Sequence, residues 1–584
     1  MSTCQNCHTN FPITQREADF HARLSVPAPT WCFECRLQRK MMFRNYQNLS
    51  RQKCLKCGKE IISMFSEQSP VTVWCSDCFV SDTWEAQDFA LEVDFSRPFL
   101  SQVRELMQTV PQQHLNQKQN ENSPWNNHQS QSKNCYMNFG GIANEDGAYN
   151  HWSGFTANCL DNYALLNSQV CYETNLVTEC YQTFFSHFVF NSHEVYFSEN
   201  CFNSSNIIGC FNLKSKSYHI INQPVAPDEF RQELKKLRSY AYQQEFKQRF
   251  CAFKLTQPYP AVHHVATTDS TGDYLVRSHN NVNIFTAVEV QNCTNAFSVG
   301  FIKDCMDMFS SSLGTELCYE YGGDGQKCYK VLFSFDCEQS QDLFYSYHCF
   351  NCSDCFGCVG LKNKQYCILN KQYSKEEYQA LLPKLKQHMG NLPYTDAKGR
   401  VYPFGEFFPG ELSSFPYNDS IAQDFYPLTA EQAQTQGMRW RPEKSAQYTP
   451  TVQATNLPDQ IDQVPDSILK EIIACEHEGT CSDHCTRVFP IIPMELEFLR
   501  TYGMPLPHLC PNCRHIRRVK QKNSMKLWER ACQCAGTTSQ SKAYQNQVAH
   551  DHRASACPRV FSTTYAPERL EMIYCQECYQ AEVV

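Results

Sequence analysis

Four Cys-x-x-Cys pairs lie within the first 78 residues: Cys4/Cys7, Cys32/Cys35, Cys54/Cys57 and Cys75/Cys78. Two residues between thiols let one tight turn aim both sulfurs at one ion, and two such clips complete the tetrahedral shell that zinc accepts. Sequential pairing puts Cys4, Cys7, Cys32 and Cys35 on one ion and Cys54, Cys57, Cys75 and Cys78 on another; interleaved pairing is the alternative. The whole chain has 35 cysteines in 584 residues. That odd count, with many cysteines in clips, fits metal thiolates and buried free thiols in a reducing cytoplasm better than a disulfide framework. The polar start Met1 to Asn10 lacks the order of a signal peptide, and no apolar run reaches the roughly 20 residues of a membrane helix.

The C-terminus repeats the design. Cys7, Cys32, Cys35 and Cys54 align with Cys485, Cys510, Cys513 and Cys532, and Phe11, Glu17 and Phe20 align with Phe489, Glu495 and Phe498. A third site therefore combines Cys485, Cys510 and Cys513 with Cys481 as the expected fourth ligand, Cys475 and His484 being rivals. In the fourth, Cys557, Cys575 and Cys578 join Cys532 or Cys534, with His550 and His552 as competing donors. About four zinc ions are expected in all.

Between the clips both ends carry cations at helical spacing: Arg36, Arg39, Lys40 and Arg44, then Arg514, Arg517, Arg518 and Lys522. Residues 1 to 80 hold ten Lys/Arg against six Asp/Glu, and residues 481 to 584 hold thirteen against nine. A phosphate footprint for RNA or DNA is one reading, and a solvated helix face is the other.

From Asn134 to Asn370 the phrase Cys-Tyr or Cys-Phe recurs, as at Cys171/Tyr172, Cys180/Tyr181, Cys201/Phe202, Cys328/Tyr329 and Cys349/Phe350. The spacing suits successive strands of a parallel β-solenoid, with a buried Cys column implying an outward aromatic column or the reverse. The middle is duplicated: Cys180, Cys201 and Cys210 match Cys328, Cys349 and Cys358. Each half ends in a helical pattern, Asp228 to Phe250 and Ser374 to Met389, placed to cap its stack. Cys349, Cys352, Cys355 and Cys358 imitate an iron-sulfur run, but Ser204 and Ile207 stand opposite Cys352 and Cys355 in the first half, so solenoid thiols are expected.

The fold class is thus mainly β with small α+β zinc modules: a duplicated parallel β-solenoid flanked by N- and C-terminal zinc-ribbon pairs, with capping helices. The expected divisions are a double ribbon (1–80), a helix and polar connector (81–133), two solenoid lobes with terminal helices (134–255 and 256–392), an aromatic strap and linker (393–465) and a second double ribbon (466–584). Within the connector, a helix is expected over Arg97 to Thr109 and a mobile or extended run over Gln112 to Lys133.

The order of ribbon, solenoid, Phe356-Gly357-Cys358-Val359-Gly360-Leu361-Lys362, Pro403-Phe404-Gly405-Glu406-Phe407-Phe408-Pro409 and a final Cys-Pro-Asn-Cys-Arg ribbon resembles an uncharacterised family of bacterial multi-zinc-ribbon proteins. The resemblance implies cytoplasmic zinc binding and brings no activity. No P-loop, dinucleotide turn, HExxH or GxSxG motif is present. The expected function is a non-enzymatic scaffold, meeting RNA or DNA at the ribbons and protein at the solenoid. The alternative is a carbohydrate-active enzyme using acidic residues among Asp304, Asp307, Glu316, Glu320 and Asp324 on the solenoid.

Overall fold

In a computed structural model, which describes residues 1–310, 313–323, 325–442, 448–481 and 483–583, the middle of the chain is a parallel β-solenoid. Tyr163 pairs with Asn175, Asn175 with His187 and His187 with Glu199. Tyr329, Gln341, Ser353 and Gln365 pair in the same way in the second lobe.

The repeat inside each coil is three residues, not the two of an ordinary strand. Ala164, Asn167, Val170, Glu173, Leu176 and Glu179 all have positive φ, so the chain bends at every third residue. One residue of each triplet then points inward. The inward positions of the first lobe include Cys159, Leu165, Cys171, Val177, Cys180, Val189, Val195, Cys201, Ile207 and Cys210, all buried. Their followers form outward aromatic columns, with Phe184 stacked on Tyr196 at 5.3 Å and Phe190 on Phe202 at 5.5 Å. The Cys column is therefore the inner one. A left-handed backbone at so many non-glycine residues is individually costly and persists only where the surroundings over-determine it.

The inward residues also supply hydrogen bonds that a bent strand cannot make with its neighbours. Asn162 Oδ1 accepts the N–H of Thr174, 12 residues on, while its Nδ2 donates to Cys171 O. Ser198 Oγ accepts the N–H of Cys210, and Cys305 Sγ accepts that of Cys318. Asn, Ser and Cys recur inside because each is small and carries an acceptor. Asn162→Leu, which removes the acceptor of the Thr174 N–H and hydroxyl and one donor to Cys171 O, should destabilise by about 2 to 4 kcal/mol in urea unfolding, against under about 1 for exposed Gln169→Leu. Equal costs would refute the ladder's role.

The same rule corrects one reading of the sequence and accounts for another. The polar run Gln112 to Lys133 is not a mobile connector: Gln117–Lys118 and Asn127–Ser130 are already solenoid strands, and Ser123 and Asn126 are buried rungs that accept the N–H groups of Cys135 and Asn138. Cys349, Cys352, Cys355 and Cys358 are four successive inward positions, each buried.

The chain divides into two compact units, each assembled from separate segments. Unit 1 contains residues 1–115 and 262–442, so the N-terminal ribbons pack with the second lobe. Helix Phe99–Thr109, which starts two residues later than the expected Arg97 with Pro98 at its N-cap, belongs here and lays Phe99 on Phe356. The strap crosses the same unit, with Phe407 and Phe408 against Phe43, Phe404 against Phe333, and Phe425 against Phe297. Helix Lys375–Asn391, capped by Ser374, follows the last coil.

Unit 2 contains residues 116–261 and 443–584, joining the first lobe to the C-terminal ribbons. After its last coil the expected single helix is two, Pro227–Lys236 and Tyr240–Lys254. Phe246 of the second lies so close to Gly209, which has positive φ, that a Cβ there would meet its ring at 2.6 Å. Strand Pro258–Pro260 pairs in parallel with Met572–Tyr574. Residues 451 to 465, read from sequence as a polar linker, contribute Leu457, Ile461 and Val464 to the core of this unit.

Candidate metal centres and the ribbon docks

The first clip of each N-terminal centre is built from a strand pair that ends in a tight turn. Ser2–Thr3 pairs with Asn10–Phe11, and the turn closes by Cys4 N–H donating to Thr9 O at 2.9 Å. Cys54 repeats this between Ser50–Lys53 and Glu60–Ser63, donating to Lys59 O at 2.9 Å. There Gly58 supplies the positive φ of the turn. The second clip of each centre begins a helix: Cys32, Cys75 and Cys510 are the N-caps of Phe33–Met41, Ser76–Phe79 and Pro511–Val519. Thiolates near those helix starts are favoured by the orphan N–H groups and the dipole.

Four sets of four sulfurs converge, with the donor atoms of each set within 4.8 Å of one another. Cys4, Cys7, Cys32 and Cys35 form the first and Cys54, Cys57, Cys75 and Cys78 the second, so pairing is sequential. Sulfurs stand 3.7 Å apart for Cys7–Cys32, 3.8 Å for Cys57–Cys75 and 4.0 Å for Cys557–Cys575. An ion bonded to four sulfurs at about 2.3 Å in a tetrahedron separates them by about 3.8 Å, whereas a disulfide brings them to about 2 Å. These sets could each hold a metal ion.

The third set is Cys475, Cys485, Cys510 and Cys513, with Cys475 in the place expected of Cys481. The backbone gives the reason. Ile473–Ala474 pairs with Val488–Phe489 and Cys475 N–H donates to Arg487 O at 2.8 Å, reproducing Ser2–Thr3, Asn10–Phe11 and the Cys4–Thr9 bond. Cys475 is thus the counterpart of Cys4, displaced in sequence by an insertion before Cys485. The apolar pair Ile473 and Ala474 immediately ahead of it was the available signal. Cys481 also approaches the centre, its sulfur 3.7 Å from that of Cys513 against 3.9 Å for Cys475. The rival His484 is outside that set of four.

The fourth set is Cys532, Cys557, Cys575 and Cys578, and a neighbouring set of Cys534, His550, His552 and Cys578 shares one sulfur with it.

Most cations of the basic helices face inward rather than toward solvent. Arg36, Arg39, Lys40 and Arg44 are buried, as are Arg514 and Arg518. In unit 1, Arg36 reaches Asp307 at 2.9 Å, while Arg39 and Lys40 reach Glu320 at 3.0 and 2.8 Å. Glu406 of the strap adds a carboxylate 3.2 Å from Arg39, and Arg44 lies 3.6 Å from Asp336. In unit 2, Arg514 and Arg518 each reach Asp161 at 3.2 Å, Arg518 reaches Glu173 at 3.2 Å and Arg517 reaches it at 2.7 Å. Lys522 lies beside Tyr163, with Nζ 3.1 Å from the hydroxyl and 4.5 Å from the ring centroid.

All five solenoid acids, Asp161, Glu173, Asp307, Glu320 and Asp336, occupy positive-φ corners. A corner residue projects away from the lumen, so acids on consecutive coils present a carboxylate pair to the basic helix. Burial tends to raise the Glu320 and Glu173 carboxyls, but the facing Lys40, Arg39 and Arg36, or Arg517 and Arg518, hold both below the usual range, Glu173 at about 2. Burial and the nearby Arg36 push the His21 imidazole down to about 4, against the opposing pull of Glu17 and Glu320.

This placement bears on the enzyme alternative. Asp307 and Glu320 are sealed under the ribbon helix, Asp304 is half-buried and Glu316 exposed; Asp324 lies outside the described residues. The two acids nearest one another in role are neutralised by cations and present no substrate-facing pair.

Among the described residues no helix is long and apolar enough to cross a membrane. Compared with known protein families and with individually characterised proteins, the chain matches none.

Proposed function

We propose that the protein is a zinc-stapled, non-enzymatic interaction scaffold of a reducing cytoplasm, which uses the open face of its solenoid to bind protein. The observation that carries this reading is the self-neutralisation of its chemistry. The four-sulfur sets leave no open coordination position for water or substrate, and the ribbon cations and solenoid acids meet each other. One solenoid face stays open in both lobes. Tyr181 and Tyr329 occupy matching positions on it, about half exposed at 49% and 47%, beside exposed His193 and Gln341. An amphipathic aromatic ring in a polar surround is a favoured anchor at protein interfaces.

A photo-crosslinking amino acid placed at Tyr181 or Tyr329 in cells should give a discrete protein adduct that the same probe at exposed Val80 or Leu570 does not. Identical adduct patterns at all four positions would reject the face as a binding surface. The exposed cations Arg51, Lys53, Lys56 and Lys59 of the second N-terminal ribbon favour a second reading, RNA or DNA binding at that ribbon, in place of the buried set. It requires affinity that falls steeply with salt and falls again when these four are changed to Ala.

A further inference from the structure

The C-terminal ribbon carries donors that its N-terminal counterpart lacks. Two residues separate Cys54 from Cys57, whereas 24 separate the corresponding Cys532 and Cys557. The extra residues fold back on the centre they interrupt. Bridges join Cys534 to Ser539 and Thr538 to Gln545. Asn546 donates to Cys534 Sγ at 3.2 Å and to Gly536 O at 2.7 Å, and receives the Tyr574 hydroxyl at 2.9 Å. At Gly536, with φ of 85°, a Cβ would lie 1.7 Å from Arg553 O, so the turn admits no side chain.

This fold returns Cys534, His550 and His552 to Cys578, with the four donor atoms within 4.8 Å of one another. Cys534, His550 and Cys578 are buried. Each imidazole has one nitrogen engaged outside the cluster. His550 Nε2 is 2.9 Å from Oε1 of Glu582, whose side chain is fully buried. His552 Nδ1 is 2.7 Å from Ser555 O, and its Nε2 is 3.3 Å from Cys578 Sγ. A carboxylate or carbonyl that fixes one ring nitrogen while the other faces a metal is the usual outer shell of ligating histidines. Glu582 is itself held, accepting from the Gln547 N–H at 2.8 Å and the Tyr544 hydroxyl at 3.1 Å.

We infer that the C-terminal ribbon is a two-metal centre in which the Cys578 thiolate bridges one zinc held by Cys532, Cys557 and Cys575 and a second held by Cys534, His550 and His552. The inference rests on the reading above that the thiolate sets bind zinc. Charge favours the shared arrangement. One divalent ion with four thiolates carries a net charge of −2, whereas two ions with five thiolates and two neutral imidazoles carry −1, which suits a buried site better.

The test is metal counting on the full-length, reduced protein with zinc as the only metal supplied. Wild type should hold five zinc ions per chain and the double variant His550→Asn/His552→Asn four. Cys534→Ser should also hold four, which guards against a folding artefact of the first variant. In cadmium-substituted wild type, two ¹¹³Cd resonances should show coupling through the shared sulfur, and the histidine variant should lose it. Equal counts in wild type and both variants would overturn the inference. A count of four in all three would leave the four-clip reading intact, whereas absence of zinc from every cluster would overturn that reading as well.

Discussion

Stripping metal from the reduced protein should unfold the ribbons and leave the solenoid lobes standing. Hydrogen exchange is expected to accelerate in Phe33–Met41 and Pro511–Val519, the helices launched by Cys32 and Cys510. Protection should persist in strands Tyr163–Leu166, His187–Phe190 and Gln341–Phe344. The asymmetry follows from what each part buries. A ribbon closes around a few apolar side chains, such as Ile61, Phe65, Val71 and Val73 beside Cys54 and Cys75, and structural zinc in modules of this kind contributes about 10 to 16 kcal/mol at neutral pH. A lobe holds a continuous inner column with rungs that hydrogen-bond from coil to coil. Unchanged exchange in both helices after complete metal loss would reject a structural role for the ions.

Glu320→Ala should be nearly as disruptive in unit 1, costing about 3 to 5 kcal/mol, because Lys40 then lies buried without the carboxylate that faces it and Arg39 keeps only Glu406. Asp161→Ala should do the same to unit 2 by leaving Arg514 and Arg518 short of a partner. The pair Lys40→Met/Glu320→Leu should recover much of the loss, since the buried charge and its counter-charge leave together. Asp77→Ala is the control: Lys59 and Asp77 are largely exposed, and breaking them should cost under about 1 kcal/mol. Calorimetry with zinc counting separates this effect from metal loss, because Glu320→Ala should keep its metal. A cost for Glu320→Ala no larger than for Asp77→Ala would show that the dock is not an energetic centre.

The assignment of ribbons, lobes and thiol sets required little beyond spacing, because a metal clip and a coil repeat are both local periodicities. Cys-x-x-Cys at Cys4, Cys32, Cys54 and Cys75 specifies ligands whatever surrounds it, and the Cys-aromatic phrase marks two opposed columns, of which the structure shows the Cys one to be inner. The C-terminal sites were less legible because insertions break the spacing: one moves Cys475 away from Cys485, and another moves Cys557 away from Cys532. The polar stretch before Cys135 was misleading for a different reason. Asn and Gln there fill a lumen whose bent backbone needs their side chains as acceptors, so a composition that ordinarily signals solvent exposure marks an interior.

The sequence by itself determined the clips and the duplicated solenoid. Tertiary structure alone decided which ribbon meets which lobe and where the charges go. The N-terminal ribbons skip the adjacent lobe and pack with the second, and the C-terminal ribbons with the first. That choice depends on shape and charge matching between residues as far apart as Lys40 and Glu320, or Asp161 and Arg518. It also depends on the three-residue bend, which places Asp161, Glu173, Asp307 and Glu320 at projecting corners. Local preference opposes a left-handed backbone at such residues. Only the stacked coils, which hold every rung at once, make that conformation the stable one.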